Sequence, residues 1–118
     1  IVEGLLSLKL LKGSKEEAID KGLYSKFYMH RIGHWLGMDV HDVGSYKQDG
    51  DWRALEKGMV MTVEPGIYIL NSLEDVDDKW KGIGVRIEDD ILITDTGFEV
   101  LTPNVPRTID EVEQAVKG

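Results

Sequence analysis

Apolar positions at the start of the chain, Val2, Leu5, Leu6 and Leu10, recur at helical spacing, which predicts an amphipathic helix stopped by Lys12-Gly13. Ser14 stands three residues before Glu17, a capping-box pattern that opens a second, short helix. Gly22 to Met29 is rich in aromatics, and Tyr24, Phe27 and Tyr28 are read as core. From Met59 the period changes. Met61 and Val63 alternate with Val60, Thr62 and Glu64 as in a strand, Pro65-Gly66 interrupts, and Ile67 to Leu70 resumes. A second extended run, Gly84 to Thr94, sets Val85, Ile87, Ile91, Leu92 and Ile93 around an acidic centre. Asp95-Thr96-Gly97 supplies a turn before Phe98 to Leu101, so a hairpin is predicted. Asn71 to Gly82 is acidic and aperiodic, a surface loop with solvated charges. After Pro106, Thr108 three residues before Glu111 repeats the capping box, and the helix that follows is expected to turn Ile109, Val112 and Val116 inward. Helices, strands, then a helix: the order predicts an α+β fold on a mostly antiparallel sheet.

Composition narrows the function classes. At 118 residues and 42% hydrophobic content the chain has enough for one core. Its net charge of -8, with no block among the 14 basic residues, argues against nucleic acid and against an anionic membrane surface. With no cysteine, disulfides, iron-sulfur clusters and thiolate zinc sites are excluded, and a cytoplasmic location fits. No apolar stretch approaches the roughly 18 residues of a membrane span, and the first residues lack the features of a signal peptide. The chain opens on Ile1 in what reads as the middle of a helix, which is expected of a cut within a longer protein.

The three histidines all fall between His30 and His41, in a run punctuated by Gly33 and Gly37. His30 and His34 have the spacing of two ligands on one helical turn, but each glycine weakens a helix by about 1 kcal/mol relative to alanine. Arg31 also stands where a zinc-protease helix needs glutamate. A loop presenting alternate side chains into a cleft fits better. Glu64 ends a strand-like run just before Pro65-Gly66, where a carboxylate among apolar neighbours needs a counter-charge or a metal to stay ionised. Arg86 and Glu88 share one face of an extended run by the period of two. A surface ion pair between them would contribute little. Imidazole and carboxylate together suit a borderline or hard divalent cation.

Three segments in this order, His30 to Gly44, Gly58 to Tyr68 and Gly82 to Asp90, resemble the pita-bread metallopeptidase family. Within it they are most similar to the proline-specific members, the aminopeptidases P and the prolidases. The wording around Tyr28-Met29-His30 and His34-Trp35-Leu36-Gly37 looks most like the bacterial aminopeptidases P, although many relatives carry glycine where this chain has Arg31. Methionine aminopeptidase fits less well, because the Trp35 to Gly44 wording belongs to the proline-specific branch.

The resemblance implies a half pita-bread fold, helices packed on a curved antiparallel sheet, with residues 1–118 as the C-terminal part of the catalytic domain. It implies His34, Glu64 and Glu88 as metal ligands, with Glu64 also shuttling protons and Glu88 bridging two metals. His30 and His41 would contact substrate or the tetrahedral intermediate, and Arg86 would steady the site. The implied cofactor is a pair of manganese ions, with zinc or cobalt as substitutes. The implied reaction is attack by a metal-bridging hydroxide on the bond between an N-terminal residue and a following proline. In that family two further aspartate ligands come from the preceding half of the domain, and Asp39 and Asp42 cannot replace them by spacing. The chain alone is therefore expected to be inactive, to hold at most one metal weakly, and to self-associate through exposed edges. A prolidase and a metal-free binding module are the other readings.

Overall fold

The first helix stops sooner than its apolar spacing predicts. In the computed structural model, which describes every residue from Ile1 to Gly118, α1 covers Val2–Ser7 and is closed by Lys9 in the left-handed region at φ 59°. The Leu10 N–H donates to the Leu5 carbonyl at 2.9 Å and the Lys9 N–H to that of Leu6 at 3.0 Å, the paired bonds of a Schellman ending. Leu10 thus keeps its place in the apolar pattern from outside the helix, buried in one cluster with Leu5. That burial offsets the strain of a lysine where glycine would be free. Next, α2 covers Lys15–Asp20, and the Ser14 hydroxyl accepts from the Glu17 N–H at 3.1 Å. Only this half of the expected box is made, since the Glu17 carboxylate takes Lys21 at 2.7 Å instead.

Seven short strands follow: β1 Lys47–Gln48, β2 Asp51–Trp52, β3 Val60–Val63, β4 Gly66–Tyr68, β5 Gly84–Arg86, β6 Asp89–Thr94 and β7 Gly97–Val100. Every pairing is antiparallel, but the strands form three separate sheets, β1-β2, β3-β6-β7 and β4-β5, where one was expected. The long run from Gly84 to Thr94 is broken between Arg86 and Asp89, as the earlier one is between Val63 and Gly66. Pro65 has no N–H to give a ladder, which is one physical reason for the interruption. Both breaks contain a glutamate.

The chain divides into two units, Ile1–Arg31 with Pro65–Arg86, and Ile32–Glu64 with Ile87–Gly118. The first holds the apolar core: Leu5, Leu10, Leu11, Ala18, Phe27, Ile69 and Val76, with Phe27 fully buried. Val76 and the partly buried Leu73 and Trp80 come from the segment expected to be a solvated loop. Its aperiodic spacing hid three apolar anchors that need no regular element to reach the core. The second unit contains β1-β2, whose Asp49-Gly50 turn has φ of 53° and 93°. Positive φ at both turn residues is the geometry that matches strand twist in a two-residue hairpin. It also contains β3-β6-β7, with the β6-β7 hairpin turning at Asp95-Thr96 as predicted.

The last helix, α3, covers Ile109–Lys117 behind a complete capping box of Thr108 and Glu111. Its apolar stripe does not turn inward: Ile109 is 78% exposed and Val116 83%. A stripe at helical spacing records a demand for a covering surface, and no strand of this chain supplies it. The backbone N–H groups of Thr108 and Arg107, then the Thr108 hydroxyl, hold the Glu111 carboxyl down to about 2. A carboxyl depressed on folding stabilises above its unfolded value and loses that contribution as pH falls through the folded one. The start of α3 is therefore expected to fray between about pH 4.5 and pH 2. Amide chemical shifts of Ile109 to Glu113 followed through that window check this, and Glu111→Gln removes the transition.

Candidate metal centre

The histidine run has no helix, and its path is set by β3. Leu36 N–H donates to the Val60 carbonyl at 3.1 Å, Thr62 N–H to that of His34 at 2.9 Å, and Glu64 N–H to that of Ile32 at 2.7 Å. Ile32 to Leu36 therefore runs antiparallel along β3, with a single bridge at Trp35 and Met61. The approach is close: a Cβ on Gly33 would lie 1.9 Å from the Thr62 carbonyl oxygen. Glycine is needed here for space, since the backbones themselves are in contact.

This register sets His34 opposite Thr62 and one step from Glu64. The chain's two buried polar side chains are Thr62, 1% exposed, and Glu64, 7% exposed. The Thr62 hydroxyl accepts from the His34 N–H at 3.0 Å and donates to Glu64 Oε1 at 3.2 Å. His34 Nδ1 donates to the Trp35 carbonyl at 3.0 Å. A carbonyl only accepts, so the ring proton is on Nδ1, and in the neutral ring Nε2 carries the lone pair. That lone pair faces Glu64 Oε1 at 3.4 Å. Glu88 brings a carboxylate to the same place, with one ligand atom from each of His34, Glu64 and Glu88 within 4.8 Å of one another. Lone pairs collected in this way repel unless a cation or proton lies among them. One imidazole and two carboxylates, without thiolate, suit a borderline or hard divalent ion. The donor set fits such an ion, and the Nδ1–H to carbonyl bond is the partner a ligating histidine characteristically has.

His41 lies against His34, ring centroids 4.4 Å apart and 66° between planes. Asp42 is committed to its own loop, accepting from the N–H groups of Met38 at 3.0 Å and Val43 at 2.8 Å. It offers nothing to the cluster.

His30 and Arg86 belong to the other unit, where Tyr68 joins them. His30 Nδ1 donates to the Arg31 carbonyl at 2.7 Å, and Nε2 therefore accepts from the Tyr68 hydroxyl at 3.1 Å. Arg86 Nε donates to the same hydroxyl oxygen at 2.7 Å. The result is a directional chain, guanidinium to phenol to imidazole. Arg86 and Glu88 do not share one strand as expected: β5 ends at Arg86, and Glu88 lies in the break before β6. Sequence reading did not single out Thr62 or Tyr68. A threonine inside an apolar strand run, two before a buried glutamate, was the available signal for the first.

Helices and antiparallel strands here gather one histidine and two glutamates into a donor set that suits a divalent metal. The chain belongs to metallopeptidase family M24, whose model matches residues 7–95. It is 55% identical over 111 residues to the Xaa-Pro aminopeptidase of Haemophilus influenzae, covering 94% of this chain and 25% of that one. To the Xaa-Pro aminopeptidase of Escherichia coli it is 52% identical over 113 residues, 96% of this chain and 25% of that one. Its structure matches Pseudomonas aeruginosa aminopeptidase PepP with a TM-score of 0.94 at 57% identity, over 99% of this chain and 26% of that one. The α+β fold is thus part of the pita-bread fold of aminopeptidase P, and the chain spans about a quarter of the length of these relatives.

Proposed function

We propose that residues 1–118 are the C-terminal part of the catalytic domain of a cytoplasmic Xaa-Pro aminopeptidase, supplying His34, Glu64 and Glu88 to a manganese centre. The observation that supports this best is the convergence of His34 Nε2 and Glu64 Oε1, 3.4 Å apart, with a Glu88 oxygen in the same group. The family is a metallopeptidase family, and a divalent metal follows from that. Manganese rests on the resemblance and on the two hard carboxylates. One E. coli aminopeptidase P structure, 51% identical over 96% of this chain, is described as zinc-substituted and in complex with product. The metal, when bound, activates water and polarises the scissile carbonyl.

The chain's own side chains have separate tasks. Glu64, oriented through Oε1 by the Thr62 hydroxyl, takes a proton and returns it to the leaving amine. His41, packed on His34, donates a hydrogen bond to negative charge developing on the carbonyl oxygen. His30, held by its neighbour's carbonyl and by Tyr68, contacts the substrate. Arg86 acts through Tyr68 to steady it. The substrate class is peptides with proline in second position, whose tertiary amide lacks the N–H that ordinary peptidases use. The prolidase reading ranks lower: human Xaa-Pro dipeptidase is 37% identical over 145 residues, against 55% for the aminopeptidase of H. influenzae. A binding module without metal would have no reason to keep the three ligands together. Exposed Trp52, Phe98, Ile109 and Val116 support self-association of the chain.

Titration of manganese into the 118-residue chain by calorimetry is expected to show one weak site. The same chain should release no first residue from an Xaa-Pro-Xaa peptide, because the family's two aspartate ligands lie outside it. Absence of any manganese heat overturns the assigned ligands, and hydrolysis by the chain alone overturns its assignment as an incomplete centre.

A further inference from the structure

Of the three side chains in the candidate centre, Glu88 is the exposed one. His34 is fixed through Trp35 and Thr62, and Glu64 through Thr62, but no hydrogen bond or ion pair holds the Glu88 carboxylate. Glu88 also lies outside any strand, in the break before β6. Where its side chain starts is therefore set by its backbone, and the backbone is anchored at the next residue.

Asp89 begins β6 and pairs with Val63 of β3. Its side chain, 22% exposed, is clamped from the C-terminal segment: Arg107 Nε donates to Asp89 Oδ1 at 2.9 Å, and Arg107 Nη2 lies 2.8 Å from the same oxygen. The Thr102 hydroxyl donates to that oxygen too, at 2.8 Å, and itself accepts from the Asp90 N–H at 3.1 Å. Arg107 Nη2 also donates to the Thr102 carbonyl at 2.7 Å. One guanidinium thus ties the residue beside Glu88 to the strand return after β7, with the planar fork that lysine cannot reproduce.

We propose that Arg107, acting through Asp89, is a positioning residue that holds the backbone from which Glu88 reaches the centre and so sets its metal affinity. This rests on the assignment of His34, Glu64 and Glu88 as ligands made above. Groups behind the ligands are worth on the order of 10- to 100-fold in metal affinity in such sites, and the clamp fixes the backbone on the C-terminal side of Glu88 through side chains, in addition to the strand ladder and the Leu101 N–H to Asp90 carbonyl bond at 2.8 Å. The alternative is that Arg107 merely fastens the C-terminal segment.

The test compares manganese affinity, by calorimetry on the 118-residue chain, among wild type, Arg107→Met, Arg107→Lys and Thr108→Val. Arg107→Met should weaken binding by on the order of tenfold or more, and Arg107→Lys should recover part of it. Thr108→Val, which loosens the α3 cap and leaves the clamp intact, should lower the melting temperature and leave the affinity unchanged. An Arg107→Met chain that binds within twofold of wild type overturns the proposal, as does a Thr108→Val chain that weakens binding equally. If Arg107→Met fails to fold, Arg107→Lys decides by the same criterion, wild-type affinity overturning the proposal and weaker affinity supporting it. No manganese heat with the wild-type chain sinks the ligand assignment itself; heat with wild type and equal affinity in the variants sinks the clamp alone.

Discussion

Gly33→Ala is expected to abolish manganese binding and to destabilise the chain by about 3 kcal/mol or more, the upper end of what overpacking costs. The new Cβ would lie 1.9 Å from the Thr62 carbonyl oxygen and 2.9 Å from its carbon. Both are backbone atoms of a paired strand, so neither can swing aside as a side-chain end would. The histidine run must instead lift away from β3, breaking the bonds that Leu36, Thr62 and Glu64 make across it. His34 then loses its register with Glu64, and the ligand set is dispersed even though each ligand remains in the sequence. Chemical denaturation and calorimetry check the two halves. Gly4→Ala is the control: no atom lies within 4 Å of its Cβ, and it sits inside α1, where alanine is favoured by roughly 0.5–1 kcal/mol. A Gly33→Ala chain with wild-type stability and affinity would mean that the histidine run does not lie against β3 in solution.

That glycine also shows what the sequence could and could not disclose. The capping boxes at Ser14 and Thr108, the β3 alternation and the Asp95-Thr96 turn are local signals, and each produced the expected element. Periodicity failed where the outcome depended on what lies across from a residue. The spacing of Ile109, Val112 and Val116 gives a helix but not the surface to cover it, and their exposure is the result. Leu73, Val76 and Trp80 join the core from an irregular segment, where no period exists to mark them. For the candidate site, His34, Glu64 and Glu88 were readable as a set only through the order of three motifs. Their convergence depends on sheet register between distant segments, which no local pattern encodes. The same holds for Tyr68, which is an ordinary strand tyrosine until it is found between His30 and Arg86.

Thr62 is the residue whose loss should separate geometry from ligand identity. Thr62→Val keeps the shape and the β-branch, so β3 should form as before. Two hydrogen bonds disappear. The His34 N–H loses its acceptor at 3.0 Å and Glu64 Oε1 loses a donor at 3.2 Å. A buried N–H left unsatisfied costs about 1–3 kcal/mol; His34 is half-buried, so a loss toward the lower end is expected in the melting curve. The effect on metal is expected to be larger in proportion, a weakening on the order of 10- to 100-fold, because the Thr62 hydroxyl no longer orients Glu64 Oε1 beside His34. Thr62→Ser tells the two contributions apart, since it restores the hydroxyl and removes only a methyl group. Serine should regain most of the affinity while melting below wild type, because it leaves a small void at a position 1% exposed. If valine binds manganese as tightly as threonine does, the hydroxyl is filling space and does not orient Glu64.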